Sequence, residues 1–547
     1  MIKNMKINIR ITYIILIIYY FLGVYFYKDF GLGIEEHFQR KLGFYWLNYF
    51  LDHTNLVDLK ITALNKYEDI KTLTPNLADI ETYYFYGVVF DLFLALIESV
   101  LNLSGPNIFY FRHFVTFTVF FFSSLFFYKI IKKRFNNDWV SILGVSIYLL
   151  TPKVFGTAFY DGKDLFFFSL LTINLYFFIK YIEKPNIKNL FIFATVSAFA
   201  TSSRVFGLMI PFSFLFINIL ESLQKNSLKY LKIFSYFLFI YILILFLHWP
   251  FMWELNFEPS NFIDIFKVTT EIKVFFQGTF YNSTNLPQSY IPKLIFIETP
   301  VYITFLFVMG ILFKLRRTFR RVSSIKIEPN YKNDLWNNYK EKIDLFFLYN
   351  FIIIVMYYFT FNPILWGGWR HFIFLNLFIS YFSCYSIFII QKYFRNKNIL
   401  KLINVIFLLL TFDLVYSLYK LHPYQSLYFN KLINKKNYKL YEIDSQSLSR
   451  MDAIKFIIED SKELKTVKVG TASFTSLEDA RFMFEKKKYD KIQFVGTNFD
   501  ENTDYIYTNH FYEVDNSIDD KYQIPKTFKL YKELNINGIR IYSIYKK

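Results

Sequence analysis

Long apolar stretches separated by short polar ones set the architecture of this chain. A helix that crosses a bilayer needs about 20 mostly apolar residues. Such stretches run, approximately, over 11–27, 110–130, 139–158, 164–182, 189–203, 205–221, 231–249, 295–313, 343–361, 371–390 and 400–419. The pattern predicts an all-α polytopic membrane bundle of about eleven transmembrane helices. The stretch 83–103 is also apolar, but Asp91 and Glu98 lie seven residues apart and share one helical face. A carboxylate at bilayer depth costs about 3 kcal/mol, so this stretch is expected to lie in the interface. Past Leu421 the long runs give way to short alternating pieces. Val467–Gly470 and 491–496 read as strands, and Met451–Ile458 and Leu477–Phe484 as amphipathic helices. Two domains follow: a membrane domain over 1–421 and a small soluble α/β domain over 422–547.

Charge assigns the sides. The basic clusters are Lys3/Lys6/Arg10, Lys129/Lys132/Lys133/Arg134, Lys184/Lys188, Lys225/Lys229/Lys232, the run Lys314 to Arg321, and Lys392/Arg395/Lys397. With 83–103 outside the membrane and the amino terminus inside, all of them fall on the cytoplasmic side, as the positive-inside tendency requires. Counting 83–103 as a span would move every later cluster outward. Three larger regions then face outward: a first loop over 28–109, a loop over 250–294, and the carboxy-terminal domain. The run 11–27 follows basic residues as a signal peptide would, but no small-residue cleavage site follows it, so it reads as a retained first helix. The expected location is a bacterial inner membrane, with the outer loops and terminal domain periplasmic.

Composition agrees. Hydrophobic residues make up 54% and charged residues only 19%, below the roughly one-quarter usual for a soluble chain. The net charge of +18 would suggest nucleic acid in a soluble protein. Here it sits in membrane loops, and no nucleic-acid partner is expected. The one cysteine, Cys384, lies inside an apolar run, which excludes disulfides and cysteine metal sites.

Candidate chemistry lies on the outward side. The first loop opens Gly33-Ile-Glu-Glu-His-Phe-Gln-Arg40, placing Glu35 and Glu36 at the membrane surface. An interfacial helix with acids in its first turn explains the pair structurally; a general base acting on an acceptor explains it functionally. The short loop Ala158 to Asp164 carries Asp161, Lys163 and Asp164 between two spans, where a plain turn would be satisfied with Asn or Ser. Arg112-His113, Ser203-Arg204 and Trp369-Arg370-His371 stand at outer helix ends, where topology does not ask for cations. Each could snorkel to headgroups; gathered together they suit an anionic ligand such as a phosphate. No Walker loop, dinucleotide fingerprint, His-Glu-x-x-His or nucleophile elbow is present. A donor carried on lipid is therefore favoured over a cytosolic nucleotide sugar.

At these residues the chain resembles the GT-C membrane glycosyltransferases, the group of protein O-mannosyltransferases and lipid A aminoarabinose transferases. Glu35-Glu36 is similar to the family's Asp-Glu pair, and Lys163-Asp164 to its Lys-Asp. Asn285 to Pro292 with Glu298-Thr-Pro, Gly368-Trp-Arg-His, and His422 to Asn430 are similar to stretches of its bacterial members. The resemblance implies an inverting transfer of a sugar from a polyprenyl-phosphate donor to a glycan, lipid or protein acceptor of the cell envelope. It implies catalytic roles for Glu35, Glu36 and Asp164, with Glu35 as base. Lys163, Arg204, Arg370, His371 and Arg112 would bind the donor phosphate or headgroup. The family usually has Asp where Glu35 stands, and one more methylene moves the carboxylate by about 1.5 Å. Metal ligands of the oligosaccharyltransferase kind are not recognisable, so no obligatory metal or other cofactor is expected. Two other classes account for parts of the pattern. A transporter or flippase would explain intramembrane charge, but would usually show an internal repeat. A non-catalytic assembly protein would use the outer tail to bind a partner.

Overall fold

All eleven stretches counted above as spans are helical in the computed structural model, which describes residues 9–74, 77, 80, 87–254, 271–323, 336, 338–394, 396–434, 437–512 and 520–547. The helices are Ile9–Phe26, Asn107–Phe135, Asp138–Leu150 with Pro152–Tyr160, Gly162–Glu183, Ile187–Ser203, Met209–Lys225, Lys229–His248, Val301–Ser323, Tyr339–Phe361, Leu375–Tyr393 and Lys397–Leu421. Among the described residues six are long and apolar enough to cross a membrane, or seven if the bent pair counts as one span. The protein is thus a multi-pass helical membrane protein, but the expected number of about eleven spans is not reached by that measure. The shortfall has visible causes. Ile187–Ser203 has only 17 residues, and Val301–Ser323 ends in a basic run. The bend of 57° in Asp138–Tyr160 falls at Thr151-Pro152, where proline can start a helix but not continue one.

Burial separates centre from rim. Gly162–Glu183 buries 61% of its most apolar window and packs against Asn107–Phe135 and Ile187–Ser203, whereas Lys397–Leu421 buries 6% and faces outward almost entirely. The interior is largely aromatic: Phe178 stacks on Phe346 at 3.6 Å, and Phe347 on Tyr381 at 3.7 Å.

Ion pairs gather the basic clusters at one end of the bundle. Arg134 and Tyr381 both bond Asp344; Lys133 pairs with Glu183, Lys342 with Glu221 at 2.8 Å, and Arg317 with Glu341. Lys3, Lys6, Arg395 and the stretches 83–86 and 255–270 lie outside the described residues.

At the other end the first loop folds into three helices, Glu36–Leu51, Val57–Leu73 and Val89–Val100. The last has 12 residues, about 18 Å of helix and too short to cross a bilayer. Its shared acidic face is buried on cations, not left to solvent: Glu98 pairs with Arg40 at 2.7 Å, and Asp91 with Arg112 at 3.5 Å. Burial nonetheless pushes the Asp91 carboxyl up to about 6.

The outward loop over 250–294 holds the antiparallel hairpin of β1 (Lys273–Phe276) and β2 (Thr279–Asn282). The carboxy-terminal region holds a five-stranded sheet with strands β3 (Val467–Thr471), β4 (Ile492–Gly496), β5 (Tyr505–Thr508), β6 (Lys529–Ile536) and β7 (Ile539–Lys546), in the order β4-β3-β5-β7-β6. β3 pairs in parallel with β4 and β5, and β7 antiparallel with β5 and β6. The β6–β7 hairpin turns on Asn537 and Gly538, both at positive φ, as its two-residue loop requires. Helix Ser449–Asp460 covers the expected Met451–Ile458, while Leu477–Met483 is a 3-10 rather than an α-helix.

This domain sits on the first loop. The Arg450 guanidinium, 1% exposed, donates to the carbonyls of Ser447, Ser476 and, across the junction, Leu32. The His37 ring nitrogen Nε2 donates to the Asp479 carbonyl at 3.0 Å. Met483 packs with Leu32, Ile108 and Phe109. At Gly31 the backbones come so close that a Cβ would stand 2.2 Å from the Leu448 carbonyl oxygen.

Candidate functional site

Glu35 and Glu36 are adjacent but have separate partners. Glu35 is the N-cap of helix Glu36–Leu51, though its side chain does not cap it. Glu36 turns inward, where Oε1 accepts from the Gly33 amide at 2.7 Å and both oxygens lie 3.1 Å from His113 Nε2. Glu36 therefore anchors the loop to helix Asn107–Phe135. Glu35 is left to face the site, where it pairs with Arg370.

Arg370 is brought there by a tight turn. Gly367 and Gly368 both have positive φ, which glycine adopts without strain, and they reverse the chain into the 3-10 turn Arg370–Phe372. The guanidinium is 2% exposed and lies over the Trp366 ring, 5.5 Å from its centroid, while the His371 ring meets Trp366 edge-on at 4.7 Å.

The second loop contributes through a helix start. Asp161 is the N-cap of Gly162–Glu183, and its Oδ1 accepts from the Asp164 amide at 3.3 Å. Its Oδ2 is buried and has no hydrogen-bond partner among the described residues. Asp164, 2% exposed, pairs with Arg204. Arg204 ends helix Ile187–Ser203 in extended backbone.

Electrostatics join these groups. Burial would raise the Glu35 carboxyl, but Arg370, Lys163 and Arg204 outweigh it and hold the group below its usual range. Asp161 goes the other way: burial, opposed by Arg370 and Arg204 and aided by Glu35 and Glu36, pushes it up to about 6. The structure thus brings together Glu35, Asp161, Lys163, Asp164, Arg204, Arg370 and His371. Arg112 stands in the neighbouring network, held by Asp91 and Glu98. Among the described residues no group of three or more His, Cys, Asp or Glu is placed to hold a metal ion.

Chemically, the cluster offers buried cations whose present partners are carboxylates. A phosphate oxygen makes the same charge-assisted contacts and could exchange for them. Asp161 is the member to which sequence reasoning assigned no role; its place one residue before a glycine at a helix start was the available signal.

Residues 91–251 match the model of the dolichyl-phosphate-mannose-protein mannosyltransferase family. The chain resembles the GT-C membrane glycosyltransferases. The matched segment contains Arg112, Asp161, Lys163, Asp164 and Arg204, and stops short of Glu35 and Arg370 on either side. Among solved structures, the fold is similar to ArnT from Cupriavidus metallidurans bound to undecaprenyl phosphate, at 10% identity and a TM-score of 0.47, over 98% of this chain and 97% of that one. The apo state of the same protein gives a TM-score of 0.47 at 10% identity, over 98% of each chain. Similarity extends to the apo oligosaccharyltransferase of Archaeoglobus fulgidus, at 10% identity and a TM-score of 0.43, over 78% of this chain and 62% of that one. The chain thus spans less than two thirds of that enzyme's length. No curated protein matches the chain.

Proposed function

We propose that this protein is an inverting glycosyltransferase that moves a sugar from a polyprenyl-phosphate donor to a glycan, lipid or protein acceptor at the outer face of the membrane. The observation that carries the reading is the group of Glu35, Asp161 and Asp164, carboxylates drawn from both early loops, gathered with the cations Arg370 and Arg204. Its position at the end of the bundle opposite the basic clusters supports a periplasmic site in a bacterial inner membrane.

In this reading the donor phosphate takes Arg370 and Arg204, with Lys163 and His371 beside it. Their carboxylate partners are released as it binds. The acceptor nucleophile, a hydroxyl oxygen in the simplest case, attacks the anomeric carbon and forms the new glycosidic bond. The bond from that carbon to the phosphate oxygen breaks, and its electron pair leaves with the polyprenyl phosphate. The acceptor proton passes to a carboxylate. Glu35, freed from Arg370, is the proposed base; Oδ2 of Asp161, without a hydrogen-bond partner among the described residues, makes Asp161 a specific second candidate. Glu36, fixed on His113, positions the loop.

The test is transfer by the full-length protein in nanodiscs from a panel of polyprenyl-phosphate sugars, with mass spectrometry of surface glycans from cells with and without the gene. Loss of a positioned base costs about 10²- to 10⁴-fold. Glu35→Gln and Asp164→Asn should each lose activity while inserting normally, and Asp161→Asn compared with Glu35→Gln identifies the base. Normal transfer in all three variants would remove this mechanism.

A further inference from the structure

Three features singled out in the sequence have no part in the cluster around Glu35: the stretch Asn285–Pro292 leading to Glu298, the Trp369 that precedes Arg370, and the stretch His422–Asn430. They meet at one carboxylate. Glu298 ends helix Tyr290–Glu298 and is buried. Its Oε2 accepts from Trp369 Nε1 at 2.9 Å, and Lys153 Nζ lies 3.0 Å from the same oxygen. Both partners are buried as well.

Each partner leads to a different side of the site. Trp369 is the residue before Arg370, so holding the indole fixes the backbone from which the guanidinium reaches Glu35. Lys153 lies in the first turn of helix Pro152–Tyr160, whose C-cap is Asp161. That helix is a strut about 14 Å long that ends in the second loop. The third stretch braces the centre. Asn430 donates its amide to the Ile297 carbonyl at 2.8 Å, and its side chain to the Phe296 and Thr299 carbonyls at 2.6 and 2.9 Å. These carbonyls lie at the helix end, where they have no partner within the helix. At Gly156 the same stretch lies so close to the strut that a Cβ would stand 2.6 Å from the Ser426 amide nitrogen.

We propose that Glu298 is a positioning residue for the transfer: its one carboxylate holds Trp369 and Lys153, and through them sets the Arg370 guanidinium against the Asp161 end of the second loop. The inference rests on the proposed sugar transfer and deepens it. Stability alone gives little reason for such a group. Apolar residues of similar volume usually replace a buried ion pair at equal or greater stability. What they would lose is direction, because a hydrogen bond fixes the edge of the indole while apolar packing leaves it free to turn. A shared oxygen also couples the two branches, so that neither moves without disturbing the other. The burial that closes Glu298 to any ligand is what this role needs, since water at the carboxylate would compete for both donors.

The experiment compares wild type, Trp369→Phe, Glu298→Gln and Glu221→Gln as full-length proteins in nanodiscs. Trp369→Phe keeps an aromatic ring and removes the donor, while Glu298→Gln keeps the shape and removes the charge. Glu221→Gln breaks a buried pair of the same kind, with Lys342, at the opposite end of the bundle. Each is measured for thermal melting, for kcat and KM across pH with the panel of polyprenyl-phosphate sugars, and for binding of undecaprenyl phosphate. A misplacement of about 1 Å costs about 10²-fold in rate. Glu35 is faced by Arg370, Lys163 and Arg204, and Arg370 leads in holding its carboxyl down. Trp369→Phe and Glu298→Gln should therefore lower kcat about ten- to hundredfold, move the acidic limb of kcat/KM to higher pH and weaken undecaprenyl phosphate about tenfold, all below their melting temperatures. Glu221→Gln should lower the melt and leave the limb and the lipid affinity in place. Should Glu298→Gln fail to fold, Trp369→Phe decides, because it keeps the Lys153 pair. Wild-type kcat, limb and lipid affinity in the folded variants, or equal shifts in Glu221→Gln, overturn the proposal while active wild type keeps the transfer reading. A wild type that never transfers sinks the transfer reading; tenfold weaker lipid binding in Trp369→Phe then keeps Glu298 as the residue that positions a phosphate site, and unchanged binding removes both.

Discussion

Replacing Arg450 tests whether the carboxy-terminal domain is part of the site or merely attached beside it. This buried guanidinium makes three hydrogen bonds to carbonyls, two within its own domain and one, at 3.1 Å, to Leu32, three residues before Glu35. A hydrogen bond from a charged donor contributes about 1.5–3 kcal/mol. Three such bonds would sum to more than the roughly 3–5 kcal/mol that loss of a buried charge partner usually costs, because the carbonyls partly recover. One of these three hydrogen bonds crosses to the loop, while an ion pair with Asp479 at 3.5 Å stays within the domain, so Arg450→Ala should loosen the loop itself by about 1.5–3 kcal/mol. That is about a ten- to hundredfold rise in amide exchange over 31–40. Hydrogen exchange read by mass spectrometry on the full chain measures it directly, with helix Ile187–Ser203 as an internal reference that should not change. Transfer activity should fall in the same preparation, because Glu35 is carried on the loosened segment. Exchange over 31–40 equal to wild type, in a protein whose terminal domain remains folded, would refute the coupling.

Other consequences concern charge and close contact. Arg370 is the leading cation holding the Glu35 carboxyl below its ordinary 4.5. The pair is stabilising above that ordinary value and is lost as pH falls through the depressed one. Arg370→Gln should therefore move the acidic limb of the kcat/KM profile to higher pH; because Arg370 also lowers Asp161, an unmoved limb would exclude both carboxylates as the base. Gly31→Ala should undock the terminal domain, because the added Cβ would meet the Leu448 carbonyl oxygen at 2.2 Å with backbone on both sides; faster limited proteolysis at the junction reads this out. Glu98→Gln leaves Arg40 and Arg112 short of a charge partner at a buried site, at a cost of about 3–5 kcal/mol. A lowered midpoint of thermal aggregation is expected, whereas Glu68→Gln, whose pair with Lys71 is exposed, should change nothing measurable.

Local pattern carried much of the architecture. A run of about 20 apolar residues is a helix in any surroundings without water, because its backbone groups have no other partner. All eleven stretches accordingly fold as helices, and the shared acidic face of Asp91 and Glu98 lies outside the spans. In the terminal domain the strands at 467 and 492 were visible from alternation. The β6–β7 hairpin is equally open to reading, since Asn537-Gly538 between two alternating runs is a turn signal. Leu477–Met483 has helical periodicity over less than two turns, too short for propensity to choose between α and 3-10 geometry.

The sequence by itself determined a membrane protein with basic residues clustered at one end of its helices and acidic pairs at the other, because hydropathy and charge act residue by residue. Partnership was decided only by tertiary structure. Glu35 and Glu36 are indistinguishable as neighbours in a chain, yet the helix start turns one to Arg370 and the other to His113. Likewise Asp164 meets a cation, while one Asp161 oxygen has no hydrogen-bond partner among the described residues. Lys153, Glu298 and Trp369 come from distant parts of the chain, and no local spacing brings them together. The energy of a buried charge depends on what lies within a few ångströms of it, and those distances exist only once the helices and the terminal domain have packed.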